Sequence, residues 1–450
     1  MCGITGYFNI SGNININDIF SSTDMIKYRG PDDEGYMFVS NDNKIVSAKT
    51  QNEARLLIAN GFKGGFGFRR LSIIDLSESG HQPMCDNSGN CWIIFNGEIY
   101  NYLELRDELI SKGYKFKSMT DTEVILYSYI EWGYDCLEKF NGMWSFAIYN
   151  KRKNYLFCSV DRFGIKPFYY YINETTFAFG SEVKQVINVA NLKTGTNDKV
   201  LFDYLSAGSY GNETKETFFK DITKLQPGTF LVVKLSDSNL DLIEKEWWKL
   251  EVKDDFYEET DIQSVSKRVK ELFFDSVRLR LRSDVEIGTC LSGGLDSSGI
   301  VCVMNELNNR QEGLKLFTII SGENNNLDYT YSKEIAEVVK DKHIVRKIDR
   351  DESFSELKKF IWHNDEPLIK ASMFGGYKVY QLAKENNLKV VFDGQGLDEY
   401  AGGYYQLPYI EYMNYLRKIK NRQLYKCHID YLLNEENYNE QMLIKALNMY

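Results

Sequence analysis

A cysteine directly after the initiator methionine is the first residue of this chain that could do chemistry. Removal of Met1 would leave Cys2 with a free α-amino group beside its thiol. An α-amine titrates near pH ~8, so it could act as the general base for its own side chain. Because any cytosolic protein can carry a cysteine at this position, Cys2 alone does not establish a nucleophile.

A loop of small residues in the second half of the chain could bind a phosphate. Residues 291–298 read Leu-Ser-Gly-Gly-Leu-Asp-Ser-Ser, between a predicted strand and a predicted helix. Exposed backbone N–H groups and a helix N-terminus both attract an anion. The loop lacks the Gly-Lys-Ser/Thr ending of a Walker A loop. Because Asp296 would repel phosphate without a cation, it is a candidate Mg²⁺ ligand.

The elements that must position these residues are of two kinds. Residues 1–210 read as short strands with two embedded helical patterns, which indicates a layered α+β domain. Residues 211–262 read as a connector that contains a hairpin strand at 230–235. From residue 263 strands alternate with helices, which implies a parallel α/β sheet, and the tail from residue 405 reads as helical. We therefore predict one domain over 1–210 and a second over 263–450.

The composition excludes several classes of protein. The chain has 450 residues, of which 43% are hydrophobic and 26% charged, so it is neither disordered, collagen-like nor a coiled-coil rod. A net charge of −10 argues against a nucleic-acid-binding protein. The sequence has no signal peptide and no apolar run near the ~18 residues of a membrane span. With 8 cysteines, 4 histidines and no zinc spacing among them, we expect a cytoplasmic protein without structural zinc.

An ordered set of motifs in the first domain carries a family resemblance. The motifs are Arg-Gly-Pro-Asp at 29–32, Arg-Leu-Ser-Ile-Ile-Asp at 70–75, Gln-Pro at 82–83, Asn-Gly-Glu-Ile-Tyr-Asn at 96–101 and Thr-Asp-Thr-Glu-Val at 120–124. Together with Cys2 they resemble the class II glutamine amidotransferases. The resemblance implies a glutaminase domain with the αββα sandwich of the N-terminal nucleophile hydrolases.

The resemblance also implies how the nucleophile works. The Cys2 thiolate would attack the side-chain amide of glutamine, release ammonia and leave a glutamyl thioester for water to hydrolyse. The tetrahedral oxyanion needs preorganised donors, and the resemblance offers the Asn96 side chain and the Gly97 backbone N–H. A glycine there lets the backbone approach the substrate closely.

Three further residues are implied to bind glutamine. The planar fork of Arg70 suits the α-carboxylate, and the carboxylates of Glu98 and Asp121 suit the α-ammonium group. Asp121 also precedes the helical pattern that starts near Val124, so it could cap that helix. Both roles of Asp121 are compatible.

The second domain resembles the N-type ATP pyrophosphatases, which release AMP and pyrophosphate. The loop at 291–298 matches their pyrophosphate loop, and a second matching element runs from 392 to 404. The resemblance implies ATP and Mg²⁺ as the bound species. The implied ATP-binding residues are Leu291, Ser292, Gly293, Gly294, Asp296, Ser297, Ser298, Ile319, Asp393 and Gly394, and the implied metal ligands are Asp296 and Asp398.

Both domains in this order resemble the glutamine-hydrolysing asparagine synthetases. The resemblance implies that ammonia from glutamine passes through an internal channel to a second site. There ATP adenylates a carboxylate, and ammonia displaces AMP. The implied partners are glutamine, ATP and aspartate, within a homodimer, with no nucleic acid and no membrane.

Three departures from the family pattern leave alternatives open. Gln395 stands where many members carry a glutamate, and an amide is no general base near neutral pH. Lys370 replaces an arginine near the aspartate site, where the two are not equivalent. The chain ends at Tyr450, before later family segments, so we expect an incomplete second domain. The alternatives are an amidotransferase for another carboxylate, such as a sugar acid or a peptide, and a relative that is regulatory or has glutaminase activity only.

Overall fold

The structure is a computed structural model. It describes residues 1–57, 61–208, 214–236, 238–251, 261–307, 313–321, 327–348, 350–367 and 372–398. The predictions for Lys370 and for everything after residue 398 lie outside these ranges. Within them, no helix has the length and apolar character needed to cross a bilayer.

Two antiparallel sheets form the N-terminal half. The first contains β1 (Gly3–Asn9), β2 (Asp33–Ser40), β3 (Ile45–Ala48), β4 (Phe62–Arg70), β9 (Tyr169–Ile172), β10 (Thr176–Gly180) and β11 (Thr223–Lys224), in the spatial order β11-β9-β10-β1-β4-β2-β3. The second contains β5 (Met84–Cys85), β6 (Cys91–Ile99), β7 (Gly142–Asn150), β8 (Tyr155–Val160), β12 (Thr229–Leu235) and β13 (Leu240–Glu246), in the order β13-β12-β8-β7-β6-β5.

Three apolar layers hold these sheets together. Between the sheets, Phe8 packs edge to face on Phe66 with ring centroids 5.7 Å apart, and Tyr149 of the other sheet lies 5.8 Å from Phe8. Such aromatic pairs add to the stabilisation from burial alone. Helices cover the outer faces of both sheets. The α-helices of this half are α1 (Ile16–Asp24), α2 (Gln51–Leu57), α3 (Tyr102–Ser111), α4 (Asp121–Trp132), α5 (Cys136–Lys139), α6 (Val183–Val189) and α7 (Asp198–Ala207). The predicted αββα sandwich is confirmed.

Part of the predicted connector over 211–262 belongs to the sandwich itself. Its hairpin is β12 and β13, and β12 pairs with β8 so that Val232 lies opposite Phe157. Trp247 follows the hairpin and stacks on the buried Trp144 at 5.5 Å. This stretch therefore extends the second sheet as well as leading to the second domain.

The C-terminal half is a parallel α/β sheet. Its strands are β14 (Ile287–Cys290), β15 (Lys315–Ser321), β16 (Lys342–Ile348) and β17 (Val390–Phe392), and its helices are α8 (Ile262–Arg280), α9 (Leu295–Leu307), α10 (Leu327–Val339), α11 (Arg350–Asn364) and α12 (Ser372–Glu385). The strand order is β16-β15-β14-β17, with every pair parallel. The chain runs outwards from β14 to β15 and β16 and then crosses to β17 on the other side of β14. The carboxyl ends of β14 and β17 are therefore the expected ligand crevice of such a sheet. The predicted fold of this domain is confirmed.

Candidate functional site

Cys2 lies immediately before β1, where its neighbours fix both its backbone and its sulfur. The Leu71 backbone N–H donates to Cys2 Sγ at 3.4 Å, and Arg29 Nε donates to the Cys2 carbonyl oxygen at 3.0 Å. Arg29 is itself held by an ion pair with Glu182 at 2.8 Å. Burial raises the pKa of the Cys2 thiol. The thiol therefore needs a nearby base or cation to ionise near neutral pH.

Asn96 and Gly97 follow each other near the end of β6. Asn96 is 1% exposed, and neither its Nδ2 nor its Oδ1 has a hydrogen-bond partner among the described residues. An unpaired buried amide costs roughly 1–3 kcal/mol, so such a group is expected where a ligand completes it. A Cβ at Gly97 would lie 2.1 Å from the Met143 carbonyl oxygen, so the β7 backbone requires glycine there.

Arg70 ends β4 and is 6% exposed. Its guanidinium group donates to the carbonyl oxygens of Ile74 at 3.3 Å, Asp75 at 2.5 Å and Ser77 at 3.0 Å. A Cβ at Gly80 would lie 1.9 Å from Arg70 Nη2, so glycine leaves the room that the fork occupies. The loop therefore fixes the orientation of the Arg70 guanidinium group in the cavity wall.

Two carboxylates, Glu98 and Asp121, stand together on the other side of the site. Asp121 is the first residue of α4, but the helix is capped by Thr120, whose hydroxyl accepts from Glu123 N at 3.3 Å. The Asp121 carboxylate instead accepts from the Ile99 backbone N–H at 2.9 Å. Burial raises the pKa of both carboxyls, and the negative charge of Asp121 raises that of Glu98 further. A cation placed between them would relieve this repulsion, as the α-ammonium group of an amino acid does.

One cavity of about 660 Å³ joins this site to the second domain. All six predicted residues of the glutamine site line it, namely Cys2, Arg70, Asn96, Gly97, Glu98 and Asp121. Residues from the second domain line it as well, including Tyr380, Lys389 and Asp393. Asp393 was predicted for the ATP site, so the structure brings one residue of the second predicted site to the same space.

Contacts between the domains involve the glutaminase motifs themselves. Lys389 Nζ lies 2.7 Å from Asp32 Oδ2, and the Asp75 backbone N–H donates to Asp284 Oδ2 at 2.7 Å. Arg282 Nη1 donates to the Tyr100 carbonyl oxygen at 2.6 Å. Lys184 Nζ lies 3.0 Å from Asp365 Oδ1. The first three contacts tie loops of the predicted glutamine site to the second domain, and the fourth ties helix α6 to it. Together they align the two ends of the cavity.

The phosphate loop leaves β14 and enters α9 at Leu295, as predicted. Gly293 has φ +83°, and a Cβ there would lie 2.5 Å from the Asp328 carbonyl oxygen. Ser292 and Ser297 face each other with their hydroxyl oxygens 3.0 Å apart. A Cβ at Gly394 would lie 3.0 Å from Ser297 N, so the loop after β17 packs closely on the first turn of α9. Glycine at both positions permits these close backbone contacts.

The other residues predicted to bind ATP or the metal ion include Leu291 and Ile319, which lie in or next to the apolar core. Leu291 is fully buried in the core of the second domain, so only its backbone could approach a nucleotide. Ile319 lies on β15, next to the core layer beneath α12. No group of three or more metal-ligating side chains occurs among the described residues. Mg²⁺ in a nucleotide site needs only one or two carboxylates beside phosphate oxygens. Asp296 lies where the loop meets Gly394, with its Cβ 3.3 Å from the place of a Cβ at Gly394, and Asp398 stays a prediction.

Sequence reasoning missed Lys166, which lines the cavity beside the predicted residues and is 6% exposed. Burial lowers the pKa of its ammonium group to about 8. A lysine in a Gly-Ile-Lys-Pro turn gives no sign of burial in the sequence. The only available signal was that the turn follows a strongly apolar strand.

Comparisons with known proteins agree with this division of the chain. The family described as a glutamine amidotransferase domain matches residues 1–248, and the family described as asparagine synthase matches residues 268–448. A protein of Methanocaldococcus jannaschii named as a glutamine-hydrolysing asparagine synthetase is 35% identical over 437 residues, which are 93% of this chain and 78% of that protein.

Two further relatives are longer than this chain. Glutamine-hydrolysing asparagine synthetase 1 of Bacillus subtilis is 35% identical over 408 residues, which are 90% of this chain and 59% of that protein. Amidase chry2 of Gibberella zeae is 27% identical over 429 residues, again 90% of this chain and 59% of that protein. This chain thus spans less than two thirds of both relatives.

Proposed function

Because this chain belongs to the family of glutamine-hydrolysing asparagine synthetases, we propose that it makes asparagine from aspartate, glutamine and ATP. The observation that best supports this proposal is a cavity that reaches from Cys2 to Asp393. Ammonia released to solvent would be protonated and lost as a nucleophile, so a cavity that reaches from the first site to Asp393 of the second suits its transfer. All seven cysteines that the structure describes are free thiols, which suits the cytoplasm, where we place the reaction.

In the first step we assign the nucleophile to Cys2 after removal of Met1. Its thiolate attacks the glutamine side-chain amide, while the Asn96 amide and the Gly97 N–H stabilise the oxyanion. Arg70 holds the α-carboxylate, and Glu98 with Asp121 holds the α-ammonium group. Ammonia leaves into the cavity, and water hydrolyses the thioester to glutamate.

In the second step we assign ATP to the crevice between β14 and β17. Backbone N–H groups of the loop at 292–294 and the start of α9 would bind the phosphates. Mg²⁺ held by Asp296 and Asp398 would neutralise charge on the departing pyrophosphate. The aspartate side-chain carboxylate becomes an acyl-adenylate, and ammonia displaces AMP.

A product assay tests this proposal. The purified chain receives Mg-ATP with glutamine or ammonium, each with and without aspartate, and glutamate, AMP, pyrophosphate and asparagine are measured. We expect asparagine and AMP only when aspartate is present, with either nitrogen source. Glutamate formation without any aspartate-dependent AMP would contradict the proposed synthetase reaction.

A second candidate is transfer of ammonia to a different carboxylate. The observation in its favour is Gln395, which follows Asp393 at the cavity end and whose backbone N–H donates to the Asp393 carboxylate at 3.2 Å. Gln395 cannot take a proton as the glutamate of many members could. In the same assay, a panel of sugar acids and short peptides replaces aspartate. AMP formation that depends on one of these, and not on aspartate, would establish this candidate.

Replacement of Gly293 by alanine is expected to lower AMP formation about 10-fold to 100-fold. A Cβ at this left-handed position meets the Asp328 carbonyl oxygen at 2.5 Å, so the loop must move, and misplacement by about 1 Å is enough for such a loss. Glutamine hydrolysis should be unchanged. The control is Gly299→Ala in α9, whose Cβ would meet only Phe273 at 3.6 Å, an ordinary contact. Equal activity of the two variants would contradict the assigned role of the loop.

A further inference from the structure

Lys166 is a buried lysine that faces the cavity beside Cys2. It is 6% exposed, and it forms no ion pair or side-chain hydrogen bond with any residue that the structure describes. Buried lysines are rare without a partner, because a charge loses much of its hydration energy on burial. A lysine kept in such a place is expected to serve a ligand or a reacting group.

The turn that carries Lys166 is built rigidly. The Asp161 carboxylate accepts backbone N–H bonds from Trp144 at 3.0 Å, Phe163 at 3.0 Å and Ile165 at 3.1 Å. It also accepts from the Lys166 N–H at 3.2 Å. This carboxylate therefore organises the whole turn after β8. These bonds fix the backbone of Lys166, and the buried side chain lines the cavity.

Charged groups surround Lys166 from several elements. The cation is Arg29 after α1, and the acidic groups are Cys2, Glu98 on β6 and Asp161. Arg70 on β4 acts on Cys2, and Asp121 on α4 acts on Glu98. Burial lowers the pKa of Lys166 to about 8, and the positive charge of Arg29 lowers it as well. The negative charges of Glu98, Asp161 and Cys2 oppose this shift. At neutral pH the ammonium form therefore still predominates.

The same cations act on the amino group at the start of the chain. In the structure this group is the Met1 amine, which lines the cavity with Cys2 and Lys166. Burial lowers its pKa to about 5, Cys2 and Glu98 oppose the shift, and Lys166 and Arg29 add to it. An amine that is neutral near pH 7 can accept a proton, whereas an ordinary α-amine near pH ~8 is mostly protonated. Removal of Met1 moves the amine one residue along the same backbone, to Cys2 in the lining of the same cavity, so the charge on Lys166 would favour the neutral form of that amine as well.

We propose that Lys166 is a positioning residue for glutamine hydrolysis, whose ammonium group keeps the amino-terminal base neutral and the Cys2 thiolate accessible. This inference rests on the proposed glutaminase reaction. The thiol proton passes to the α-amine as sulfur bonds to the amide carbon. The amine returns that proton to the departing nitrogen as the C–N bond breaks, and ammonia leaves. Lys166 keeps its own proton throughout and acts only by its charge.

The test compares Lys166→Met, Lys166→Gln and Lys166→Arg with the wild-type chain. Loss of the positive charge stabilises the protonated amine and destabilises the thiolate, so both pKa values should rise. We expect the acid limb of kcat/KM for glutamine to move up by about one pH unit in the Met and Gln variants. The pH dependence of Cys2 alkylation by iodoacetamide, read by mass spectrometry of the amino-terminal peptide, should move in the same direction. Lys166→Arg should keep the wild-type profile.

The matched control is Lys199→Met, which removes an exposed lysine that pairs with Glu216. Its profile should equal that of the wild type. If Lys166→Met and Lys166→Gln lose rate equally at every pH and keep the wild-type limb and alkylation profile, Lys166 is only structural and the inference is overturned. If the wild-type chain itself hydrolyses no glutamine, the proposed function fails instead, so the two failures are distinguishable.

Discussion

Replacement of Cys2 by alanine is expected to abolish glutamine hydrolysis and to leave ammonium-dependent synthesis intact. The sulfur is the only group assigned to attack the amide, and alanine removes it without adding bulk near Leu71. The second site draws on ammonia from either source, so it should continue when ammonium is supplied. Glutamate release and AMP formation, measured on the same sample, report the two sites separately.

The control for this variant is Cys85→Ala. Cys85 is a half-buried free thiol on β5 and does not line the cavity. It should retain both activities. Loss of ammonium-dependent AMP formation in Cys2→Ala, with a folded chain, would show that the two sites are not separable and would contradict the assignment.

Replacement of Asn96 by alanine is expected to lower kcat for glutamine about 10²-fold to 10³-fold, with a small change in KM. The reason is the loss of one donor to the oxyanion, which forms only in the transition state. Because both amide atoms of Asn96 are buried without partners, their removal should leave the free energy of unfolding unchanged or higher. Steady-state kinetics and urea unfolding measure the two effects.

Asn150→Ala provides the matched contrast on the neighbouring strand β7. Its buried amide donates to the Tyr129 hydroxyl at 2.9 Å and accepts from Lys153 N at 3.0 Å. Removal of a satisfied amide should cost roughly 1–3 kcal/mol of stability and leave kcat unchanged. The assignment of Asn96 would be wrong if Asn96→Ala behaved like Asn150→Ala, with lower stability and full activity.

The sequence was most informative where chemistry restricts residue choice. The motifs around Arg70 and Asn96 predicted the sandwich and the residues that share its cavity, because a substrate fixes both residue type and order. The glycines at 293 and 394 also belonged to predicted motifs, and in the structure each lies close to the backbone of a helix, α10 for Gly293 and α9 for Gly394. The role of each predicted residue remains a prediction that the variants above test.

Other features depended on contacts that span long stretches of chain. From its sequence the hairpin of β12 and β13 was interpreted as part of a connector, because nothing in the residues around it indicates that β12 pairs with β8. Strand β16 was missed, since its Lys-His-Ile-Val-Arg-Lys-Ile sequence is a half-exposed edge strand rich in charge. Lys166 gave no sign of burial, because the four bonds to Asp161 that place it arise only in the folded turn. The ion pairs of Lys389 and Arg282 between domains were unreadable for the same reason.

The central claim is that nitrogen from glutamine reaches the second site inside the protein. The most direct measurement uses glutamine labelled with ¹⁵N in its amide, together with Mg-ATP, aspartate and an excess of unlabelled ammonium, and determines the isotope in the product by mass spectrometry. A cavity that extends from Cys2 to Asp393 predicts asparagine enriched in ¹⁵N well above its share of the ammonia in bulk solution. Asparagine with the isotopic composition of the bulk ammonium would contradict internal transfer.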